Sequence, residues 1–224
     1  MRVDIEASPA FAMGTIRLGA GESVKVEAGA MSAMSSGIDI QTASQGGVLG
    51  GLKRSVLGGE SFFINTFTAA RGGEVSVAPK LPGDLIHLPL RGGAMFVQSG
   101  SWIASEPDVQ VDTKWGGAKT FFSGEGLFML HCSGAGDMLV SSYGAIVERQ
   151  LQPGEVYTVD TGHIVAFDEG VTYAVRKVGN WKSTILGGEG LVTDFTGPGR
   201  LLLQTRSSQE LIDWLTVSLP FSRD

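Results

Sequence analysis

Cysteine is nearly missing: Cys132 stands alone among 224 residues. One thiol forms no internal disulfide, so the fold must rest on its core, and a reducing, cytoplasmic setting is expected. Charge is sparse as well. Asp, Glu, Lys and Arg make up 18% of the chain, and the net charge of −6 supplies no long-range field to draw in nucleic acid or an anionic membrane. No apolar run approaches the roughly 18 residues of a membrane span, and the start Met1-Arg2-Val3-Asp4-Ile5-Glu6 lacks the basic and apolar regions of a secretion signal. What abounds is glycine, with 33 residues beside 8 prolines, about twice the usual share and without a collagen period. The chain must turn sharply and often, which excludes a helical bundle. Its 42% hydrophobic content suffices for a core of its own.

The glycines punctuate a pattern that recurs. GGESFFINTFTAARGGEVSVAP (58–79), SGEGLFMLHCSGAGDMLVSS (123–142) and GGEGLVTDFTGPGRLLLQTR (187–206) share a Gly-Glu step, an apolar stretch, a glycine turn and a second apolar stretch. Each block reads as a hairpin. AGESVKVEAGAMSAM (20–34), PGDLIHLPLRGGAMFVQSGSWIAS (82–105) and PGEVYTVDTGHIVAF (153–167) precede them in the same order. Two landmarks in one order three times imply an internal repeat of about 65 residues. The copies span about 1–80, 81–150 and 151–206 of a single compact domain covering 1–224.

Within the copies, Val24-Lys25-Val26-Glu27, Ile38-Asp39-Ile40-Gln41 and Val109-Gln110-Val111-Asp112 alternate apolar and polar residues with period two. That puts one face of a strand in a core and the other in water. The expected fold is all-β, with pseudo-threefold β-sandwich or barrel-like sheets. One helix is expected, over 208–217. Ser207-Ser208-Gln209-Glu210 carries a capping box, and Leu211, Ile212, Trp214 and Leu215 supply an apolar face to dock on the sheets.

GGVLGGLKRSVLGGESFFINTFTA (46–69), WGGAKTFFSGEGLF (115–128), SSYGAIVE (141–148) and VDTGHIVAF (159–167) together resemble the altered-inheritance-of-mitochondria family over nearly the whole chain. The resemblance implies an all-β fold in a superfamily with the tryptophan RNA-binding attenuation protein, whose subunit is a sandwich of about one repeat's length. For the fungal relative it implies a part in organising the mitochondrial inner membrane. It implies no chemistry for the bacterial members. The attenuation protein's RNA-binding basic triad has no match here.

Several motifs invite a chemical reading and most fail on spacing. Asp160-Thr161-Gly162 has the form of an aspartic-protease turn, but that chemistry needs two carboxylates sharing a proton. Only one such turn is present, and Glu27-Ala28-Gly29 and Gln98-Ser99-Gly100 hold the same repeat position. In the 46–59 stretch a phosphate loop would need Lys directly after the last glycine, whereas Leu52 intervenes before Lys53 and Arg54. What remains is two cations among Leu49, Leu52, Val56 and Leu57, either a flexible hairpin connection with solvated charges or a patch able to touch a membrane surface or a protein partner. The contact residues expected there are Leu52, Lys53, Arg54 and Val56.

Glu60, Glu125 and Glu189 recur at one step of every copy and could ring a hard cation, though capping their own glycine turns is the favoured account of the recurrence and needs no ligand. His87, His131 and His163 lack metal-ligand spacing, Cys132 reads as core, and Trp102, Trp115, Trp181 and Trp214 form no stacking platform among basic residues. No catalytic residue, cofactor or metal is therefore assigned. The expected function is that of a non-enzymatic scaffold or interaction protein, a homo-oligomer that contacts a membrane surface or a protein. The alternative is a small-ligand or RNA-binding module, with nucleic acid disfavoured by the acidic charge.

Overall fold

The computed structural model of the chain describes residues 1–43, 62–112, 128–177 and 191–219. The first third holds strands β1 (Arg2–Glu6), β2 (Met13–Leu18), β3 (Ser23–Glu27), β4 (Met31–Met34), β5 (Ile38–Ala43), β6 (Ile64–Ala69) and β7 (Gly73–Val77). Next come β8 (Leu85–Gln98), β9 (Trp102–Ser105), β10 (Gln110–Asp112) and β11 (Met129–Ser141). The last third holds β12 (Ile146–Leu151), β13 (Val156–Asp160), β14 (Ile164–Asp168), β15 (Thr172–Lys177), β16 (Leu191–Thr196) and β17 (Gly199–Gln204), followed by α1 (Ser208–Ser218), the one α-helix among the described residues. The fold is mostly β, as the alternating patterns require.

The strands form three sheets. A four-stranded sheet runs β1-β2-β7-β4, and a three-stranded one runs β13-β16-β15. A ten-stranded sheet runs β12-β17-β14-β8-β11-β9-β3-β6-β5, with β10 beside β11. None of these sheets closes into a barrel among the described residues, which corrects the barrel-like expectation. The physical reason lies at the edges: β4 ends one sheet and β13 ends another, so the pairings that closure needs are not made.

The pairings follow one scheme. β3 pairs antiparallel with β6 and β6 with β5, β13 pairs with β16 and β16 with β15, and the end of β8 pairs with the start of β11, which pairs with β10. β2 and β4 flank β7, the start of β8 and β9 flank the end of β11, and β12 and β14 flank β17. Each flanking pair of the second kind contains a one-residue irregularity at the same step. Met31, Ala33 and Met34 face Val77, Ser76 and Val75; Trp102, Ala104 and Ser105 face Val140, Leu139 and Met138; Ile164, Ala166 and Phe167 face Leu203, Leu202 and Leu201.

The glycine blocks expected to be hairpins are corners instead. β6 and β7 lie in different sheets, as do β16 and β17, while β11 stays continuous and slips register between Gly134 and Ala135. A glycine is needed at such a corner because the backbone bends against its neighbours. At Gly134, with φ +112°, a Cβ would sit 2.7 Å from the Asp108 carbonyl oxygen. The real antiparallel partners, β5 with β6, β10 with β11 and β15 with β16, are joined by the segments outside the described residues.

Three apolar clusters form the core, the first between the four- and ten-stranded sheets, the second within the ten-stranded sheet and the third between the ten- and three-stranded sheets. Ile16, Val26, Phe67 and Val75 anchor the first. Val97, Trp102, Leu130 and Met138 anchor the second, and Phe96, Phe167, Phe195 and Leu201 the third. Each such side chain taken fully from water contributes roughly 1.5–3 kcal/mol before conformational entropy is subtracted.

Candidate interaction surface

Helix α1 starts where the sequence places it. The Ser207 hydroxyl accepts the Glu210 backbone N–H at 3.5 Å, satisfying one of the donors a helix start leaves open. The docking expectation holds only in part. No residue of α1 is buried: Leu211 and Leu215 are half-buried, while Ile212 (52%), Trp214 (64%) and Val217 (89%) stand exposed. The reason is geometric. Apolar residues at 211, 212, 214, 215, 217 and 219 cover more of the helix than one stripe, so seating one side on the body leaves another facing outward.

Charge narrows what could cover that face. Helix α1 carries Glu210 and Asp213 and no lysine or arginine. An anionic lipid surface repels such a helix, whereas an apolar groove of a protein with a basic rim suits it.

Edge strand β4 is the second uncovered apolar element. All four of its residues are exposed, with Met31 at 36% and Met34 at 42%. In β9, which makes the matching irregular pairing, all four residues are buried. At the far edge, β13 exposes Val156 and Thr158 while Val159 is buried.

The expected contact residues Leu52, Lys53, Arg54 and Val56 lie outside the described residues, as do Glu60, Glu125, Glu189, Trp115 and Trp181. The other candidates are placed apart. Asp160 ends β13, where its carboxylate accepts the Gly162 N–H at 2.9 Å and shapes its own turn. The histidines have separate partners: His87 meets Asp137 at 3.1 Å, His131 meets Glu169 at 3.0 Å, and His163 Nδ1 lies 2.8 Å from the Gln204 carbonyl oxygen. Among the described residues no three His, Cys, Asp or Glu side chains come together as a metal site would require. Trp102 is fully buried and meets Phe62 edge-on at 5.6 Å. A shallow cleft of about 410 Å³ lies beside Arg17, Glu22, Glu106 and Asp108. Its arginine is already held by Asp4 at 2.7 Å, and its Glu22 carboxylate by the Gly19 N–H at 2.7 Å.

Cys132 sits in the second core cluster with no exposed surface, and burial pushes its thiol up to about 12. A thiolate is the reactive form, so this residue is inert in the folded chain. Ellman's reagent is expected to leave the native protein unmodified and to titrate one thiol in denaturant. Rapid labelling of the native protein would contradict the burial.

The sequence reading missed the outward face of α1 and the exposure of β4. The signal available for α1 was the width of its apolar stripe. For β4 there was none, because Met31-Ser32-Ala33-Met34 looks like any core strand.

Among the described residues no helix is long and apolar enough to cross a membrane, a statement that leaves strands aside. An uncharacterised protein of Streptococcus pyogenes serotype M6 is 28% identical over a 230-residue alignment covering 99% of this chain and 92% of its own. A crystal structure of a Streptococcus pyogenes protein, solved in a structural-genomics programme, matches with a TM-score of 0.81 and 26% identity, covering 97% of this chain and 99% of that one. The family model described as mitochondrial biogenesis AIM24 matches residues 3–206, from β1 to just beyond β17. The chain therefore belongs to the mitochondrial biogenesis AIM24 family.

Proposed function

We propose that the protein is a non-enzymatic scaffold of three like sandwich units that works by engaging other protein surfaces. The observation that carries this reading is the uncovered apolar face of α1, where Ile212, Trp214 and Val217 gain nothing until a partner removes them from water. The three-unit part is supported by one irregular pairing made at Met31/Ala33, Trp102/Ala104 and Ile164/Ala166. A bulge is an extra residue with a local cost, so its return at one step in three places favours descent from a single unit. Lys53 and Arg54 would add a basic contact beside Leu52 and Val56.

RNA has less support as a ligand. Arg17, Arg149, Arg176 and Arg200 are each held by a carboxylate, from Asp4, Glu155, Asp194 and Asp168 respectively. Phosphate contacts would have to compete with those pairs.

The test is in-cell cross-linking and mass spectrometry in the native host, comparing the full chain with an Ile212→Asp, Trp214→Asp, Val217→Asp variant and with a Lys53→Glu, Arg54→Glu variant. Cross-links from α1 to a defined protein, lost in the first variant at unchanged Tm, are expected. An unchanged cross-link pattern in that variant would overturn the reading. Flotation of the wild type with anionic vesicles, abolished only by the Lys53/Arg54 variant, would move the function to a membrane surface instead.

A further inference from the structure

We propose that copies of this chain join head to tail, the free β4 edge of one copy adding to the free β13 edge of the next. The inference deepens the scaffold reading, on which its three-unit frame rests.

Neighbouring units inside the chain are already joined this way, twice. β9 pairs with β3, setting Ala104 opposite Val26 and Ser105 opposite Lys25. β14 pairs with β8, setting Ala166 opposite Val97 and Phe167 opposite Phe96. The positions correspond, because Glu27, Gln98 and Asp160 face Ile64, Met129 and Val192 on the next strand of their own sheets. Counting back from those residues, Val26, Val97 and Val159 occupy one step. Ala33, Ala104 and Ala166 likewise occupy one step of the irregular pairing. So at each internal junction a valine of one unit meets an alanine of the following unit.

The chain contains a third valine and a third alanine with no such junction. Val159 lies on β13 and Ala33 on β4, and these strands end their sheets. Ala104 and Ala166 are fully buried, whereas every residue of β4 is exposed. Edge strands that must stay single usually carry charge or proline. Met31-Ser32-Ala33-Met34 has neither.

A second copy fits where no other described strand does. Adding its β4 to β13 in the internal register would set Ala33 against Val159 and Met34 against Thr158, with main-chain hydrogen bonds as in any added strand. The two edges differ and belong to opposite ends of the series of units. The contact is therefore heterologous, and repetition yields a ring or an open filament rather than a two-fold dimer.

The experiment is multi-angle light scattering with size exclusion on the full chain at micromolar concentration, with Tm followed for each variant. The wild type is expected at a multiple of 23.5 kDa. Met34→Lys with Thr158→Lys sets like charges directly opposite across the joint, which destabilises a strand pair, and is expected to shift the population to monomer at the Tm of Thr158→Lys alone, the reference that already lacks the 2.6 Å hydrogen bond from Thr158 to Asp194. Met34→Glu with Thr158→Lys is expected to restore the wild-type mass. A monomeric wild type, or a multimer indifferent to the Lys/Lys pair, overturns the proposal. If the α1 triple variant alone dissolved the multimer, self-association would run through α1. The edge junction would then fall while the interaction reading stood.

Discussion

Replacing Phe167 by alanine is expected to cost the fold about 3–5 kcal/mol, a large share of the roughly 5–15 kcal/mol that holds a domain together. Phe167 is 1% exposed and lies at the joint between β14 and β8, paired across it with Phe96. Its ring meets Phe96 at 5.1 Å, Phe195 at 5.0 Å and Tyr173 at 5.3 Å, in tilted and edge-on arrangements. Truncation removes the transfer energy of the ring and leaves a cavity whose walls come from the ten-stranded and the three-stranded sheets, so neither sheet can collapse into it alone. Urea unfolding should show a lower midpoint, with a Tm fall of about 10 °C for a chain of this size. Phe167→Leu should recover most of the loss. A change below about 1 kcal/mol, within the scatter of ordinary substitutions, would mean that this aromatic cluster does not hold the joint.

Gly83→Ala is expected to destabilise nearly as much, by about 2–4 kcal/mol, through overpacking and lost hydrogen bonds. A Cβ at Gly83 would lie 1.8 Å from the Ser142 carbonyl oxygen, a backbone atom with no side-chain freedom to retreat. The approach is close because Gly83 and Gly144 form a parallel bridge. Around it the Asp84 N–H donates to the Gly144 carbonyl at 2.9 Å and the Ser142 N–H to the Asp84 carbonyl at 3.1 Å. Forcing the segments apart breaks that set together. Gly93→Ala is the control, since nothing lies within 4 Å of its Cβ position, and it should stay within about 0.5 kcal/mol of wild type. Equal stability of the two variants would contradict the bridge.

Much of the local structure was legible in the sequence. The alternation in Val109-Gln110-Val111-Asp112 matches a segment whose valines are buried and whose polar residues are exposed, and the Ser207 capping box starts the helix where expected. What could not be read was which strands pair. A glycine between two apolar stretches signals a change of direction, and a hairpin turn and a sheet-to-sheet corner have the same signature. Pairing is settled by partners far along the chain, as when β7 is flanked by β2 and β4. The candidate surface was harder still. Apolar residues in α1 and β4 predict burial, and only the arrangement of their neighbours shows that burial has not happened within one copy. The cationic stretch around Lys53 and Arg54 was conspicuous in sequence, yet it lies outside the described residues.

The proposed equivalence of three units is tested most directly by an experimental structure of the full chain with β2–β7, the stretch from β8 to β11, and β12–β17 overlaid. Coincident one-residue bulges at Ser32, Ile103 and Val165, with Val26, Val97 and Val159 superposed, are the predicted result. Bulges falling at different steps, or absent from one unit, would contradict it.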